Sequence, residues 1–443
     1  MPTHTAPMTV SSARTPICAK LQPRPRQPIP AQPGQNTPTP GTNNVNQGTQ
    51  LLNGRKEKKR QKANIKIASL NMNGASSPSE NMSYLEKWKR LSDTIHIEGV
   101  AILAVQETHL DEEMTATLQA RFKKNLTIMT SAHPTNPRAT CGVAFVINKK
   151  LITPEETSVH ELNPGRAMQL KVRWLGNCST TILNTYTPND RKAHAEFWAK
   201  TNIERCAHRL PKPAFTLGDF NVMEDMIDRC PPKHDNQTAV NALKEIKQEW
   251  NIHDTWRRNN PTEKAFTYCA RTQTGMTQAR LDRGYVASDI EQSTFDWEIK
   301  ETAVPTDHLM ISVRYAPREA PYIGTGRWTA PLHLLKNEKL IEKINAKGVE
   351  LQTEMTRARL ERTDRKETNP QTQWETFKQE IKKTIKEVEK ELHHKLTSKM
   401  NALEKDIKET NNAPDGETNE ERRSQAAFLT SQLKQLKKKN AKR

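Results

Sequence analysis

The spacing of hydrophobic positions along this 443-residue chain changes twice. Up to about residue 62 there is no apolar period. From Ile65 onward short apolar runs recur between turn residues: Ile65 to Leu70, Ala101 to Val105, Val143 to Ile147, Met168 to Trp174, Thr181 to Tyr186, Ala214 to Leu217 and Leu309 to Tyr315. Runs of this length, some alternating and some continuous, predict strands of mixed sheets covered by helices. Between them Leu85, Trp88, Leu91 and Ile95 share one helical face, and Val240, Leu243, Ile246 and Trp250 share another. Beyond Tyr315 the strand signal stops. Trp374, Phe377, Ile381, Ile385, Val388, Leu392, Leu396, Met400, Leu403 and Ile407 then recur at steps of three and four, which predicts a long amphipathic helix. A narrow stripe flanked by Lys and Glu suits pairing with another helix, by self-association or against a partner domain. The expected organisation is a leash over 1–62, an α/β domain over 63–316, a linker over 317–345 and a helical, coiled-coil-like extension over 346–443.

Composition supports that division. At 34% hydrophobic and 5% aromatic residues, the chain is too lean for one core to fill all of it. Residues 1–62 are rich in Pro, Thr, Gln and Asn and cannot bury enough apolar surface to offset ordering entropy, so disorder is expected there. The net charge of +18 is concentrated at the ends. Residues 1–62 hold ten basic residues against one acid, and residues 318–443 hold 28 against 20, leaving +1 for the centre. Basic flanks suit a polyanion such as nucleic acid, and an acidic membrane surface would match the charge as well. No apolar run approaches the roughly 20 residues that span a bilayer, and the N-terminal residues lack a signal-like apolar stretch, so an intracellular protein is expected. Arg55 to Lys62 has the composition of a nuclear-import signal or a nucleic-acid contact, with a plain solvated leash as the alternative. Six scattered cysteines without a Cys-x-x-Cys pair support neither a disulfide framework nor structural zinc.

The candidate chemistry lies at strand ends. Asn71 and Asn73 follow the first strand, Glu107 the second, and Tyr186 and Asn189 the run ending Asn184-Thr185-Tyr186. Gly218-Asp219-Phe220-Asn221 follows Ala214 to Leu217, while Arg280-Leu281-Asp282 and Thr306-Asp307-His308 complete the set. Each alone reads as a cap or turn. Six such clusters at strand ends predict loops that converge on one crevice.

Their chemistry is that of phosphodiester cleavage. Glu107 is a hard oxygen ligand of the kind Mg²⁺ takes, with Asn71 supporting the ion or its water shell. Asp219 can serve as base for an attacking water, with Asn221 as a second hydrogen-bonding group. His308, kept protonated by a carboxylate such as Asp282, would stabilise charge on the phosphate, and Tyr186 could donate to a phosphate or leaving oxygen.

The ordered motifs Leu-Asn-x-Asn-Gly, Gln-Glu-Thr-His-Leu, Tyr-x-Pro-Asn, Gly-Asp-Phe-Asn, Phe-Thr-Tyr, Arg-x-Asp and Thr-Asp-His resemble the endonuclease/exonuclease/phosphatase superfamily. Within it they are most similar to endonuclease domains of LINE-type, non-LTR retrotransposons of the fungal Tad-like kind. The resemblance implies a DNase I-like four-layer α/β sandwich, two mixed β-sheets flanked by helices, and a Mg²⁺-dependent (alternatively Mn²⁺-dependent) nick in DNA that leaves a 3′-hydroxyl to prime reverse transcription. Glu107, Asn71 and Asp307 would lie on the metal side; Asp219, Asn221, His308, Asp282 and Tyr186 would carry the chemistry. Asn73, Asn189, Thr267, Arg280 and Thr306 would support the site or contact substrate. Asn73 stands where abasic-site repair nucleases usually have Asp, and Thr306 replaces the commoner Ser.

The link at Gly324 to Trp328 resembles the lead into a reverse transcriptase, yet no Tyr-x-Asp-Asp occurs, so an endonuclease portion, truncated copy or domesticated relative of a retroelement is expected. Implied partners are target DNA, RNA of its own element, and either a second copy or a reverse-transcriptase domain for the long helix. The rival readings are a phosphatase of small phosphoesters within the same superfamily and a non-catalytic nucleic-acid-binding or assembly protein.

Overall fold

The structure, a computed structural model, describes residues 61–77, 81–154, 157–176, 178–272, 275–324, 328–361, 369–413 and 419–441. All of these belong to one compact unit, Lys59–Arg443. The expected leash, all but the end of the Arg55 to Lys62 run, and most of the Gly324 to Trp328 link fall outside the described residues.

Two six-stranded mixed sheets stack face to face. Elements are numbered in chain order. The first sheet runs β15 (Thr294–Lys300), β16 (Met310–Tyr315), β2 (Ile65–Asn71), β3 (Val100–Gln106), β5 (Val143–Asn148), β4 (Leu126–Ser131). The second runs β11 (Ile252–His253), β14 (Asp282–Ala287), β9 (Phe215–Asp219), β8 (Cys178–Tyr186), β7 (Ala167–Leu175), β6 (Thr157–Asn163). A small sheet of β10 (Arg229–Cys230), β13 (Gly275–Ala279) and β12 (Tyr268–Thr272) lies beside them, and β1 (Gln61–Lys62) pairs with β17 (Tyr322–Ile323).

The layering follows from the strand sequences. β2, β3 and β5 are buried throughout and largely apolar, so both faces of the first sheet need cover. One face meets the second sheet through Ile67, Ile102, Phe145, Leu170, Ile182, Phe215 and Val313. The other packs Leu70, Leu103 and Val146 against Trp88 and Leu91 of α1 (Tyr84–Glu98) and Leu118 of α2 (Glu112–Phe122). The second sheet's outer face is covered by α3 (His194–Ala207) and α4 (Gln237–Trp250), through Phe197, Trp198, Leu243 and Trp250. The order helix, sheet, sheet, helix is the expected four-layer α/β sandwich. A short α5 (Thr255–Asn259) follows β11.

Two βαβ crossovers place the chemistry. β2 and β3 are parallel and joined through α1; β8 and β9 are parallel and joined through α3. The C-terminal ends of all four strands therefore face one edge. β14 runs antiparallel to β9, with Asp282 opposite Asp219, and β16 antiparallel to β2, so the residues that begin these strands reach the same edge. Gly218 lets the β8–β9 pair close: its φ is +150°, and a Cβ there would sit 1.8 Å from the Thr185 carbonyl oxygen.

After β17, α6 (Glu338–Leu360), α7 (Pro370–Asn412) and α8 (Glu420–Ala441) follow. α6 starts inside the stretch expected as linker, because Leu334 and Leu340 pack on Ile385 and Val388 of α7 as a small core of their own. Lys382 and Lys386 flank the Trp328 ring at 5.3 and 5.9 Å from its centroid. α6 and α8 of the same chain thus cover part of the α7 stripe, while Trp374 and Leu392 stay exposed.

Candidate active site

Asn71 is the hub of the crevice. Fully buried at the end of β2, it donates through Nδ2 to Glu107 Oε1 at 2.8 Å and to Asp219 Oδ2 at 2.9 Å. Its Oδ1 accepts the Asn73 backbone N–H at 2.8 Å. With two carboxylates on one side and an N–H on the other, the partners fix which way the amide points. One carboxamide from the first sheet thereby gathers an acid from each sheet.

Asp219 Oδ1 accepts the Asn221 N–H at 3.0 Å, and Asn221 Nδ2 donates to the Thr187 carbonyl at 3.0 Å. Beside it His308 Nδ1 lies 2.8 Å from Asp282 Oδ2, with both side chains buried. The Asp282 N–H donates to Thr267 Oγ1 at 3.0 Å. Thr306 Oγ1 donates to the Asn71 carbonyl at 2.8 Å and accepts the His308 N–H at 3.2 Å, a task that needs a hydroxyl and is met by Thr as by Ser. Exposed Asp307 accepts from Asn73 Nδ2 at 2.9 Å. An Asp in place of Asn73 would set two carboxylates against each other there. Tyr186 donates to Asn189 Oδ1 at 3.3 Å, under the guanidinium of Arg166, 5.2 Å from the ring centroid.

The backbone is held in uncommon conformations around this edge. Among the described residues nine non-glycine residues have positive φ, and Asn73, Glu107, His109, Cys141 and Asn221 lie in the loops bordering the crevice. Left-handed turns at Glu107 and Asn221 cost free energy that the surrounding hydrogen bonds must offset, a pattern typical of functional loops.

Burial and neighbouring charges shift the proton affinities of Asp219, His308 and Tyr186. Burial, reinforced by Asp282, pushes the Asp219 carboxyl up to about 7, against the opposing pull of His308 and two hydrogen bonds. Burial works against charge on His308, yet Asp282 overcomes it and raises the imidazole to about 10. Burial, with Glu107 and Asp219 nearby, raises Tyr186 well above the ordinary phenol range, so it keeps its proton.

A family model described as Endonuclease/Exonuclease/phosphatase family matches residues 68–308, more than half of the chain. The chain belongs to this family.

A protein described as the Transposon TX1 uncharacterized 149 kDa protein of Xenopus laevis is 28% identical over 251 residues. That match spans 56% of this chain and only 18% of the relative's length. Among solved structures, the endonuclease domain of TRAS1, a telomere-specific non-LTR retrotransposon, aligns at 15% identity with a TM-score of 0.41, over 58% of this chain and 100% of that one. The AP endonuclease LMAP from Leishmania major aligns at 15% identity and a TM-score of 0.47, over 57% of this chain and 88% of that one.

In this family member the structure brings Asn71, Asn73, Glu107, Tyr186, Asn189, Asp219, Asn221, Thr267, Asp282, Thr306, Asp307 and His308 to one edge. Arg280 is not among the groups facing the crevice. Its guanidinium is buried between Asp228, at 2.8 Å, and Asp254, at 2.7 Å, and is a structural brace beneath Asp282. His109 Nε2 stays 4.0 Å from Glu107 Oε2.

Three contributors escaped the sequence reading. Lys87 sits on the buried face of α1 and donates to the carbonyls of Met72 at 2.6 Å and Gly74 at 2.9 Å, shaping the loop after Asn71. Its signal was a lysine beside Trp88 within an apolar stripe. Tyr268, seen only as the end of Phe-Thr-Tyr, packs its ring 4.9 Å from that of His308. Asn184, behind Tyr186, accepts from Gln106 at 2.7 Å and donates to the Val105 and Ala144 carbonyls, tying the two sheets together.

The donor set suits a hard divalent cation. Glu107 and Asp307 offer carboxylate oxygens and no sulfur, and Glu107 is only partly covered. Asn71, expected beside the ion, instead turns its Nδ2 to Glu107 and commits its Oδ1 to the Asn73 N–H, so it positions the Glu107 carboxylate. Asp219, Asp282 and His308 also present atoms within 4.8 Å of one another. There, however, the imidazole Nδ1 is already committed to Asp282, which favours proton holding over ligation. Next to the site a cleft of about 600 Å³ is lined by Asn189, Asn221, Arg191, Arg229, Lys233 and Tyr268.

Proposed function

We propose that this chain is a divalent-metal-dependent endonuclease that nicks duplex DNA, of the retrotransposon type, leaving 3′-hydroxyl ends that prime reverse transcription. The observation that carries the reading is the Asn71 bridge, which holds Glu107 and Asp219 together beside the Asp282–His308 pair.

Asp219, with its proton affinity near neutrality, takes the proton of the attacking water, and the Asn221 loop sets the direction of its free lone pairs. Protonated His308, oriented through Nδ1 by Asp282, offers its Nε2 hydrogen to the phosphate as charge builds in the transition state. Tyr186, protonated across the working range, supplies a second neutral donor. Glu107, held in place by the Asn71 amide, and Asp307 would hold Mg²⁺ or Mn²⁺, which when bound neutralises phosphate charge.

The choice of DNA over small phosphoesters is supported by the neighbouring cleft, lined by Lys233 and by Arg191 and Arg229, two arginines that share one carboxylate, Asp235, and so leave net positive charge for flanking phosphates. The transposon relative supports the retroelement setting. Nuclear location through Arg55 to Lys62, contact with the element's own RNA, and self-association through the exposed part of α7 are extensions of the same reading. Incubating supercoiled plasmid with the full chain and Mg²⁺ tests it: nicked circles ending in 3′-hydroxyls support it, and release of phosphate from small phosphoesters without nicking overturns it.

A further inference from the structure

The segment that delivers His308 is held from two sides. On the inner side Thr306 Oγ1 donates to the Asn71 carbonyl at 2.8 Å, and the Leu309 N–H donates to the Thr267 carbonyl at 2.7 Å. On the outer side two carbonyls of the same segment accept lysine ammonium groups from α8: Thr306 from Lys434, and Glu301 from Lys437 at 3.2 Å. Lys434 and Lys437 are three residues apart and share a helix face. They grip the two ends of the stretch that precedes Asp307 and His308.

These are not surface lysines in passing contact. The Lys437 side chain is 9% exposed and its ammonium lies 2.9 Å from Glu404 of α7; Lys434 lies 3.6 Å from Glu301, whose side chain is 4% exposed. Such contacts are partly shielded from water, where charge-assisted hydrogen bonds hold geometry more firmly. The α7–α8 pair is also fixed to the sandwich elsewhere. Lys408 pairs with Glu263 at 2.9 Å, Asn412 Oδ1 accepts the Lys264 N–H at 2.9 Å, and Leu403, Ala426 and Leu433 are buried. Glu420 lies so close to Gly275 of β13 that a Cβ there would come within 2.8 Å of its carboxylate.

We propose that Lys434 and Lys437 are positioning residues of the active site: by clamping the Glu301–Thr306 segment onto α8 they set the place of Asp307 and His308. The helical extension is then part of the catalytic unit. The inference rests on the nuclease reading for its kinetic consequence, and on the contacts above for its structural one.

The test uses the full chain with supercoiled plasmid and Mg²⁺, comparing wild type with Lys434→Met, Lys437→Met and Lys434→Arg. A small misplacement of a catalytic group costs on the order of 10- to 100-fold in rate, so each Met variant should lose that much kcat. KM for DNA should stay within about twofold, because the interaction acts on chemistry and not on binding. Lys434→Arg, which keeps a donor at the carbonyl, should recover most of the rate. Independently of activity, amide hydrogen exchange over residues 302–309 should accelerate at least about tenfold in the Met variants, because a local brace has gone. Wild-type rates and exchange in both Met variants would overturn the clamp, and so would a parallel loss of kcat and DNA affinity that Arg does not rescue. If the wild-type chain fails to nick at all, the nuclease reading falls, and the exchange measurement still decides whether α8 braces the segment.

Discussion

His308 and Asp282, 26 residues apart in sequence, meet with Nδ1 2.8 Å from Oδ2, both side chains buried. Burial alone would strip the imidazole of its proton; the Asp282 carboxylate reverses that and holds it protonated up to about pH 10. Folding therefore gains stability from this histidine that is fully present below its ordinary value of 6.5 and is lost as pH rises through about 10.

Asp282→Asn removes the largest stabilising charge and leaves burial opposed only by Asp219 and Asp307. The His308 imidazole should then titrate well below 10, as read by NMR of labelled histidine. Nicking at pH 8 should fall on the order of 100-fold or more, because a neutral imidazole stabilises a developing dianion poorly. An unchanged His308 titration in this variant would remove Asp282 from its assigned role.

Glu107→Gln keeps the bond from Asn71 and removes a negative charge. The Mg²⁺ concentration giving half-maximal nicking should rise by about tenfold or more, since hard cations depend on carboxylate charge. A normal Mg²⁺ requirement would place the metal elsewhere.

Gly218→Ala should prevent the β8–β9 pair from closing, because the new Cβ would overlap the Thr185 carbonyl at 1.8 Å. The expected loss exceeds about 3 kcal/mol, measured by urea unfolding of the full chain. A stability within error of wild type would contradict the backbone geometry on which Asp219 rests.

The parts of this fold that are legible in sequence are those decided by apolar runs. β2, β3 and β5 are buried on both faces and read as mostly apolar runs, the buried polar exceptions such as Lys66, Asn71 and Gln106 each having a hydrogen-bond partner. β6 was missed because it is an edge strand that buries only Leu162. β14 was missed because it carries Arg283, whose charge is buried against Tyr285 and the Val222 carbonyl, partners remote or unreadable in sequence. α2 buries only Leu118 and leaves no stripe to find. The strand-end polar clusters pointed to the crevice because parallel crossovers force their ends together. Arg280 misled because it lies in the turn between β13 and β14, outside the alternation of either strand, where Asp228 and Asp254, distant in sequence, draw its guanidinium away from the crevice that Asp282 faces.

That reassignment is itself testable. Asp228 is held down to about 2: burial opposes its charge, but Arg280 beside it prevails, with Arg283 and Arg257 adding to the pull. Its contribution to stability is present above 3.8 and lost as pH falls through about 2. Arg280→Met leaves Asp228 and Asp254 without their shared cation and should cost about 3–5 kcal/mol at pH 7 in urea unfolding. Affinity for DNA in the folded fraction should match wild type, and a selective loss of DNA binding without loss of stability would return Arg280 to the substrate surface.

The central claim is that the Asn71-bridged acids and the Asp282–His308 pair cleave DNA, and plasmid relaxation by the full chain measures it most directly. With Mg²⁺ the wild-type chain should convert supercoiled DNA to nicked circles, and Asp219→Ala and His308→Ala should each lower the rate by on the order of 1,000-fold. Equal nicking by wild type and both variants, or nicking indifferent to Mg²⁺, would contradict the account.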